Sequence, residues 1–173
     1  MSNVWFTSDL HLGHENIAKL RGFASAEDHD ECLIDLHNNL VGKKDKVFIL
    51  GDFLWNRHKA TLAHAKRMAG TKELIFGNHD TFAIKSYQEV GVIRFHGFRR
   101  YKKFWISHAP IHPYEIRGRG NIHGHIHPLV GDCPPLGEEY FNVNVEAHAF
   151  CPTNLDEIER HFWGFYGKKD ASV

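Results

Sequence analysis

The chain is predicted to fold as an α/β protein in which two mixed β-sheets pack together with helices outside. Three observations predict this. Up to Asp80, short apolar runs alternate with helical patterns, which implies parallel βαβ units. After Asp80 the character changes to a series of short strands separated by turn residues. The 173 residues contain no linker, internal repeat or low-complexity stretch, so one domain over 1–173 is expected.

In chain order, Val4 to Ser8 reads as a buried strand ending at Asp9, and a helix is expected from near His14 to Leu20. Ser25 is placed to cap the next helix, with Glu27 and Asp28 in its first turn and Cys32, Leu33, Leu36 and Leu40 at helical spacing. Val47 to Leu50 is a continuous apolar run, as in a strand buried on both faces. A helix over Lys59–Met68, stopped by Gly70, then leads to a strand over Glu73–Phe76. A short helix over Ile84–Glu89 precedes strands at Val92–Phe95, Phe98–Tyr101 and Phe104–Ser107, which Gly97 and Lys102-Lys103 would turn into an antiparallel meander. A strand is expected into Gly124, a loop at Pro134-Pro135 and a half-exposed strand over Tyr140–Val145. Thr153 to Asp156 would cap a final helix carrying Leu155, Ile158, Phe162 and Trp163, with a frayed tail from Gly167 to Val173.

Composition narrows the function classes. Lys plus Arg and Asp plus Glu are equal at 21 each, so the formal net charge is zero. A protein tracking nucleic acid by charge alone carries a basic excess, so nucleic-acid binding is not favoured. The three cysteines are widely spaced and form no CxxC pair, which suits a reducing compartment. No apolar run reaches the ~20 residues needed to span a membrane, and Met1 to Phe6 lacks the pattern of a signal peptide. These features lead to the expectation of a cytoplasmic protein without membrane contact.

Histidine is the outlier, with 15 residues. Five of them, with three aspartates and an asparagine, lie in five short runs: Asp9-Leu10-His11, Gly51-Asp52, Gly77-Asn78-His79-Asp80, Ser107-His108-Ala109 and Gly124-His125-Ile126-His127. The first three follow predicted strands, and strand ends on one sheet edge bring distant residues together. In Asp9-x-His11, alternate residues of an extended segment point the same way and can reach one cation. Gly51 permits a sharp turn before Asp52, whose carboxylate is suited to bridging two cations about 3.5–4 Å apart. Oxygen and imidazole donors without thiolate point to Mn, Fe, Zn, Ni or Co, with Mn the working choice. Other histidines, among them His29, His37, His58, His64 and His161, are expected on helix surfaces or half-buried.

The order and types of these motifs resemble the calcineurin-like metallophosphoesterase superfamily over nearly the whole chain. The segments Leu10–Asn16 and Asn142–Glu146, followed by Pro152 and Leu155–Ile158, resemble a small, uncapped bacterial and phage-type branch of it. The resemblance implies a four-layer αββα sandwich and two divalent transition-metal ions. One ion would take Asp9, His11, Asp52 and His127, the other Asp52, Asn78, His108 and His125. It further implies that hydroxide held by the ions attacks phosphorus, with His79 protonating or stabilising the leaving group and Asp80 orienting that loop or His79. His14, Arg57 and Arg117 are candidates for substrate binding. Arg21, like Arg57, follows a metal motif and could clamp substrate. His14 could equally face solvent at a helix start.

One departure restricts the substrate. Protein serine/threonine phosphatases of the superfamily carry an Asp and an Arg shortly after the bridging Asp, where this chain has Trp55 and Asn56. The expected activity is therefore a phosphodiesterase acting on a small phosphoester, such as a nucleotide or cyclic nucleotide. A phosphomonoesterase with the same site, or an idle binding scaffold, are the alternatives. Arg94, Arg99, Arg100, Lys102 and Lys103, interleaved with aromatics, read either as a basic ligand patch or as the two faces of a hairpin.

Overall fold

The computed structural model describes residues 2–117, 120–129 and 136–170, except for the side chains of 165–170. Two mixed sheets are flanked by helices, as predicted. The first has the order β4-β3-β2-β1-β9. Its strands β1 (Val4–Thr7), β2 (Lys46–Leu50), β3 (Thr71–Ile75) and β4 (Val92–His96) run parallel, and β9 (Thr153–Asn154) is antiparallel to β1. The second, β5-β6-β7-β8, comprises Arg99–Tyr101, Phe104–Ile106, Asn121–His123 and Tyr140–Asn142. Only its β5–β6 pair is antiparallel. The helices are α1 (Glu15–Leu20), α2 (Ala26–Leu40), α3 (Lys59–Arg67), α4 (Ile84–Glu89) and α5 (Leu155–Asp170).

Strand β2 shows why the layers form. Val47 and Ile49 lie on one face in a cluster with Leu33 and Ile34 of α2 and Ala65 of α3. Phe48 and Leu50 lie on the other with Phe104, Ile106 and Ile122 of the second sheet. The period-2 alternation of a strand thus splits one apolar run between two cores, each fully buried side chain contributing about 1.5–3 kcal/mol. Ser25 caps α2 as expected, its Oγ accepting the Asp28 N–H at 3.0 Å.

Several expectations need correction. Strand β4 does not enter a meander; it pairs parallel with β3 on the first sheet, reached through α4. An apolar run marks a strand but does not name its partner. The stretch Tyr140–Val145 is strand only to Asn142, and a 3-10 turn occupies Val145–His148. Thr153 and Asn154 form a strand that had been expected as part of a cap, although Asn154 Oδ1 does accept the Asp156 N–H at 2.9 Å. Helix α5 continues to Asp170, so residues 167–170 are not frayed. Pro134-Pro135 and residues 171–173 lie outside the described residues. His29, His37 and His64 are buried, not surface residues. His29 is held by Asp30 and Arg21, and His37 by the Ala69 carbonyl. Among the described residues no helix is long and apolar enough to cross a membrane.

Three residues of the basic run, Arg94, Arg99 and Lys102, pair with carboxylates of the chain. Glu73 on β3 is buried, and its carboxylate meets Lys46 at 3.2 Å, Arg94 at 3.5 Å, His96 at 3.0 Å and Arg99 at 2.7 Å. Lys102 pairs with Glu159 at 3.0 Å.

Candidate metal centre

The C-terminal ends of the parallel strands β1, β2 and β3, and of β6 and β7, lead directly into the five motif segments. Main-chain bonds hold the segments together: Asp9 N donates to the Gly51 carbonyl at 3.0 Å, His11 N to the Asp52 carbonyl at 2.9 Å, and Gly124 N to the His108 carbonyl at 2.8 Å. His125 N donates to Asp9 Oδ2 at 2.9 Å, joining the two sheets through the site.

Close approach demands glycine at Gly51, Gly77 and Gly124, where a Cβ on Gly77 would lie 2.2 Å from Asp52 Oδ1. A Cβ on Gly51 would lie 2.3 Å from His108 Nδ1, and one on Gly124 would lie 2.5 Å from Asp9 Oδ2. The backbone is also strained here. Asp9, His11, Asp52 and His125 have φ of 57°, 48°, 52° and 68°, the left-handed region that non-glycine residues occupy at about 1–3 kcal/mol each. Such strain clusters where geometry serves something other than stability.

The donor atoms converge. Asp52 Oδ2 lies 3.6 Å from both His11 Nε2 and His108 Nε2. His108 Nε2 is 2.9 Å from Asn78 Oδ1 and 3.1 Å from His125 Nδ1. His127 Nε2 is 3.5 Å from Asp9 Oδ1. Ligand atoms of Asp9, His11 and His127 fall within 4.8 Å of one another, as do those of Asp9, Asp52 and His108. All seven residues expected as ligands are thus brought together. His79, exposed on the same loop, donates its main-chain N–H to Asp52 Oδ1 at 2.9 Å.

These side chains fit cations better than each other. His108 Nδ1 faces the Leu50 carbonyl at 2.8 Å. A carbonyl only accepts, so Nδ1 carries a proton, and Nε2 is turned toward Asn78 Oδ1, a carbonyl-type oxygen suited to a cation. Among the described residues, Asp9 Oδ1 and both ring nitrogens of His11 are buried with no hydrogen-bond partner. Leaving such atoms bare costs about 1–3 kcal/mol each. Burial pushes the His11 pKa down to about 3, so its ring is neutral and its lone pair free.

Three residues hold this array: Glu146, which the sequence did not single out, Arg21, expected toward substrate, and Asp80, expected to orient its loop or His79. Glu146 Oε1 accepts from His127 Nδ1 at 2.7 Å, a carboxylate–histidine pair that aims Nε2 inward. Burial works against the charged imidazole of His127, but the Asp9 and Glu146 carboxylates outweigh it and push its pKa up to about 9. Arg21 is buried and so cannot clamp substrate as expected; it pairs with Glu146 at 2.9 Å and donates to the Asp9 carbonyl at 2.8 Å. Asp80 does not reach His79. It ties the loops, accepting from Asp52 N at 2.7 Å, Gly77 N at 2.9 Å and Phe53 N at 3.0 Å.

The remaining candidates border the centre or stand apart. The His14 ring stacks on Trp55 at 3.7 Å and lies 5.8 Å from the His11 ring. The Arg57 guanidinium lies 5.9 Å from the Phe82 ring centroid, and Arg117 is exposed beyond a 3-10 turn over Pro113–Glu115. Asn56, where the phosphatases have Arg, is turned inward. Its Nδ2 donates to the Gly13 carbonyl at 2.6 Å and its Oδ1 accepts from Thr61 at 2.8 Å.

No family model matches the chain. The uncharacterized protein MJ1445 of Methanocaldococcus jannaschii is 34% identical over 166 residues, covering 91% of this chain and 90% of its own. The gene 66 protein of Mycobacterium phage D29 is 48% identical over 83 residues, 46% of this chain and 41% of its own. A protein of unknown function, AQ665 from Aquifex aeolicus, superposes with a TM-score of 0.70 at 25% identity, over 92% of this chain and 99% of its own. The Pseudomonas putida nuclease MPE shares the fold, with a TM-score of 0.54 at 24% identity over 72% of this chain and 61% of its own. The two mixed sheets flanked by helices make a metallophosphoesterase-like fold. The chain belongs to one family with the archaeal MJ1445.

Proposed function

We propose that this chain is a dinuclear-metal-dependent phosphodiesterase acting on a small phosphodiester. The observation that carries this reading is the convergence of seven oxygen and imidazole donors, three of whose atoms are buried without partners. Asp9, His11, Asp52 and His127 would hold one divalent cation, and Asp52, Asn78, His108 and His125 the other, with Mn the working choice. When bound, the cations lower the pKa of water to about 7 and offset charge on the phosphoryl oxygens. His79 stands exposed beside Asn78, its backbone tied to the Asp52 carboxylate, and holds the proton that the leaving oxygen requires. Glu146 and Arg21 keep the His127 and Asp9 donors aimed into the site.

Mn-loaded protein is expected to hydrolyse a bis-aryl phosphodiester faster than the matching monoester. Equal or reversed rates would reject the diesterase preference in favour of a monoesterase, and no turnover of either would favour a binding scaffold. The His79→Ala variant is expected to keep its metal and lose about 10²–10⁴-fold in kcat on poor leaving groups. Normal rates there would remove the acid role.

A further inference from the structure

An aromatic shelf stands at the mouth of the centre. Trp55 is 40% exposed although its main chain is tied to the neighbouring loop. Trp55 N donates to the Leu12 carbonyl at 2.9 Å, and Leu12 N to the Phe53 carbonyl at 3.0 Å, so the two loops that bear Asp9, His11 and Asp52 are sewn together beneath it. One indole face is covered by the His14 ring at 3.7 Å and 20°. The exposed remainder borders His79, whose ring centroid lies 5.0 Å from that of Trp55 at 55°. His11 lies beneath, with centroids 6.1 Å from Trp55 and 5.6 Å from His79.

This arrangement restricts what sits against His79. A group receiving a proton from His79 must also meet the indole. A small hydrophilic alcohol would leave that surface wet, whereas a planar ring would stack on it, as bases stack on exposed aromatics in single-strand-binding sites. Trp55 is not a scattered surface hydrophobe, because one face is already stacked and its backbone is fixed by the loops that carry Asp9, His11 and Asp52. Resting on the phosphodiesterase reading above, we propose that Trp55 is the specificity-determining residue for the leaving group, and that it selects a nucleoside whose base packs against the exposed side of the indole. His14 acts as the backing that holds the indole in place. The preferred substrates are then diesters with a base on the leaving side.

Two measurements on the full chain test this. In the first, adenosine 5′-monophosphate and ribose 5-phosphate are titrated against intrinsic fluorescence and by calorimetry. The nucleotide is expected to quench emission and to bind about ten-fold or more tightly than the sugar phosphate. Trp55→Ala should erase that difference, and Trp55→Phe should retain most of it. In the second, kcat and KM are compared for a dinucleoside phosphate and for the methyl diester of the same nucleotide. Trp55→Ala should lower the ratio of their kcat/KM values about ten-fold, chiefly through KM for the base-bearing ester. A ten-nucleotide single strand serves as a third substrate: a KM like that of the dinucleoside phosphate assigns the base to a small ester, and a much lower one assigns it to a nucleic-acid end. Equal proportional losses on both diesters, or an unchanged nucleotide preference in Trp55→Ala, would overturn the proposal. Failure of the wild-type protein to cleave either diester would instead sink the phosphodiesterase reading, while the titration would still decide the role of Trp55.

Discussion

Two buried acidic clusters lie in this small protein, and they are built in opposite ways. Glu73 is surrounded by Lys46, Arg94, His96 and Arg99, all within 3.5 Å, on strands where none of the five residues has a positive φ. Asp9 and Asp52 sit on left-handed backbone among imidazoles, one of which, His11, has no partner for either nitrogen among the described residues. In the first cluster the chain satisfies its own charge. In the second it converges acceptors on acceptors and accepts strain to do so. Burial of charge alone therefore says little about function. What separates a binding centre from a structural ion cluster is whether the chain completes the cluster itself.

Exchanging one carboxylate in each cluster should break that symmetry in the clearest way. Asp52→Asn is expected to lose activity by about 10³-fold or more, with loss of metal and little change in the melting temperature of the metal-free protein. Glu73→Gln is expected to keep metal and turnover but to lose about 3 kcal/mol of stability, because four cationic or imidazole groups lose their counter-charge. Denaturant melts paired with metal analysis of the two variants check this. Equal stability losses would erase the distinction.

A smaller effect sharpens the role of the supporting residues. Glu146→Gln keeps the shape of the carboxylate but weakens the hold on His127 Nδ1, and is expected to lower metal affinity about 10–100-fold. Unchanged affinity would make Glu146 a partner of Arg21 alone.

The smallest effect is in pH dependence. Burial depresses His11 to about 3 and His37 and His123 to about 4, below an unfolded value near 6.5. The unfolded chain therefore takes up these protons first, so stability falls as pH drops from about 6.5 through 4. His127 has the opposite sign: its raised pKa of about 9 adds stability to the metal-free protein below about 6.5, which fades as pH rises through 9. A metal ion must displace that proton, so apparent metal affinity should rise between about pH 6.5 and 9. Thermal melts and metal titrations across this range read both slopes, and flat profiles would contradict them.

The seven converging side chains were legible in the sequence because each stands at a strand end beside residues that mark tight geometry, Gly51, Gly77 and Gly124 among them. Their neighbours were not. Glu146 and Arg21 are 125 residues apart, and neither periodicity nor composition joins them. The burial of His29 and His64 was hidden for the same reason: what makes a buried histidine tolerable is a partner such as Asp30, found only in three dimensions. The pairing of β4 with β3 was lost because a strand run identifies its faces and not its neighbour. The left-handed backbone at Asp9, His11, Asp52 and His125 was not read from the sequence: Asp and His adopt it more often than most side chains, but residue type alone does not announce it as glycine would.

The most direct test of the central claim is a titration of the metal-free protein with Mn²⁺, followed by calorimetry and paramagnetic resonance. The account predicts about two ions per chain, magnetically coupled through a shared carboxylate, with the coupling lost in Asp52→Asn. Saturation without coupling, or binding unchanged by that substitution, would contradict it.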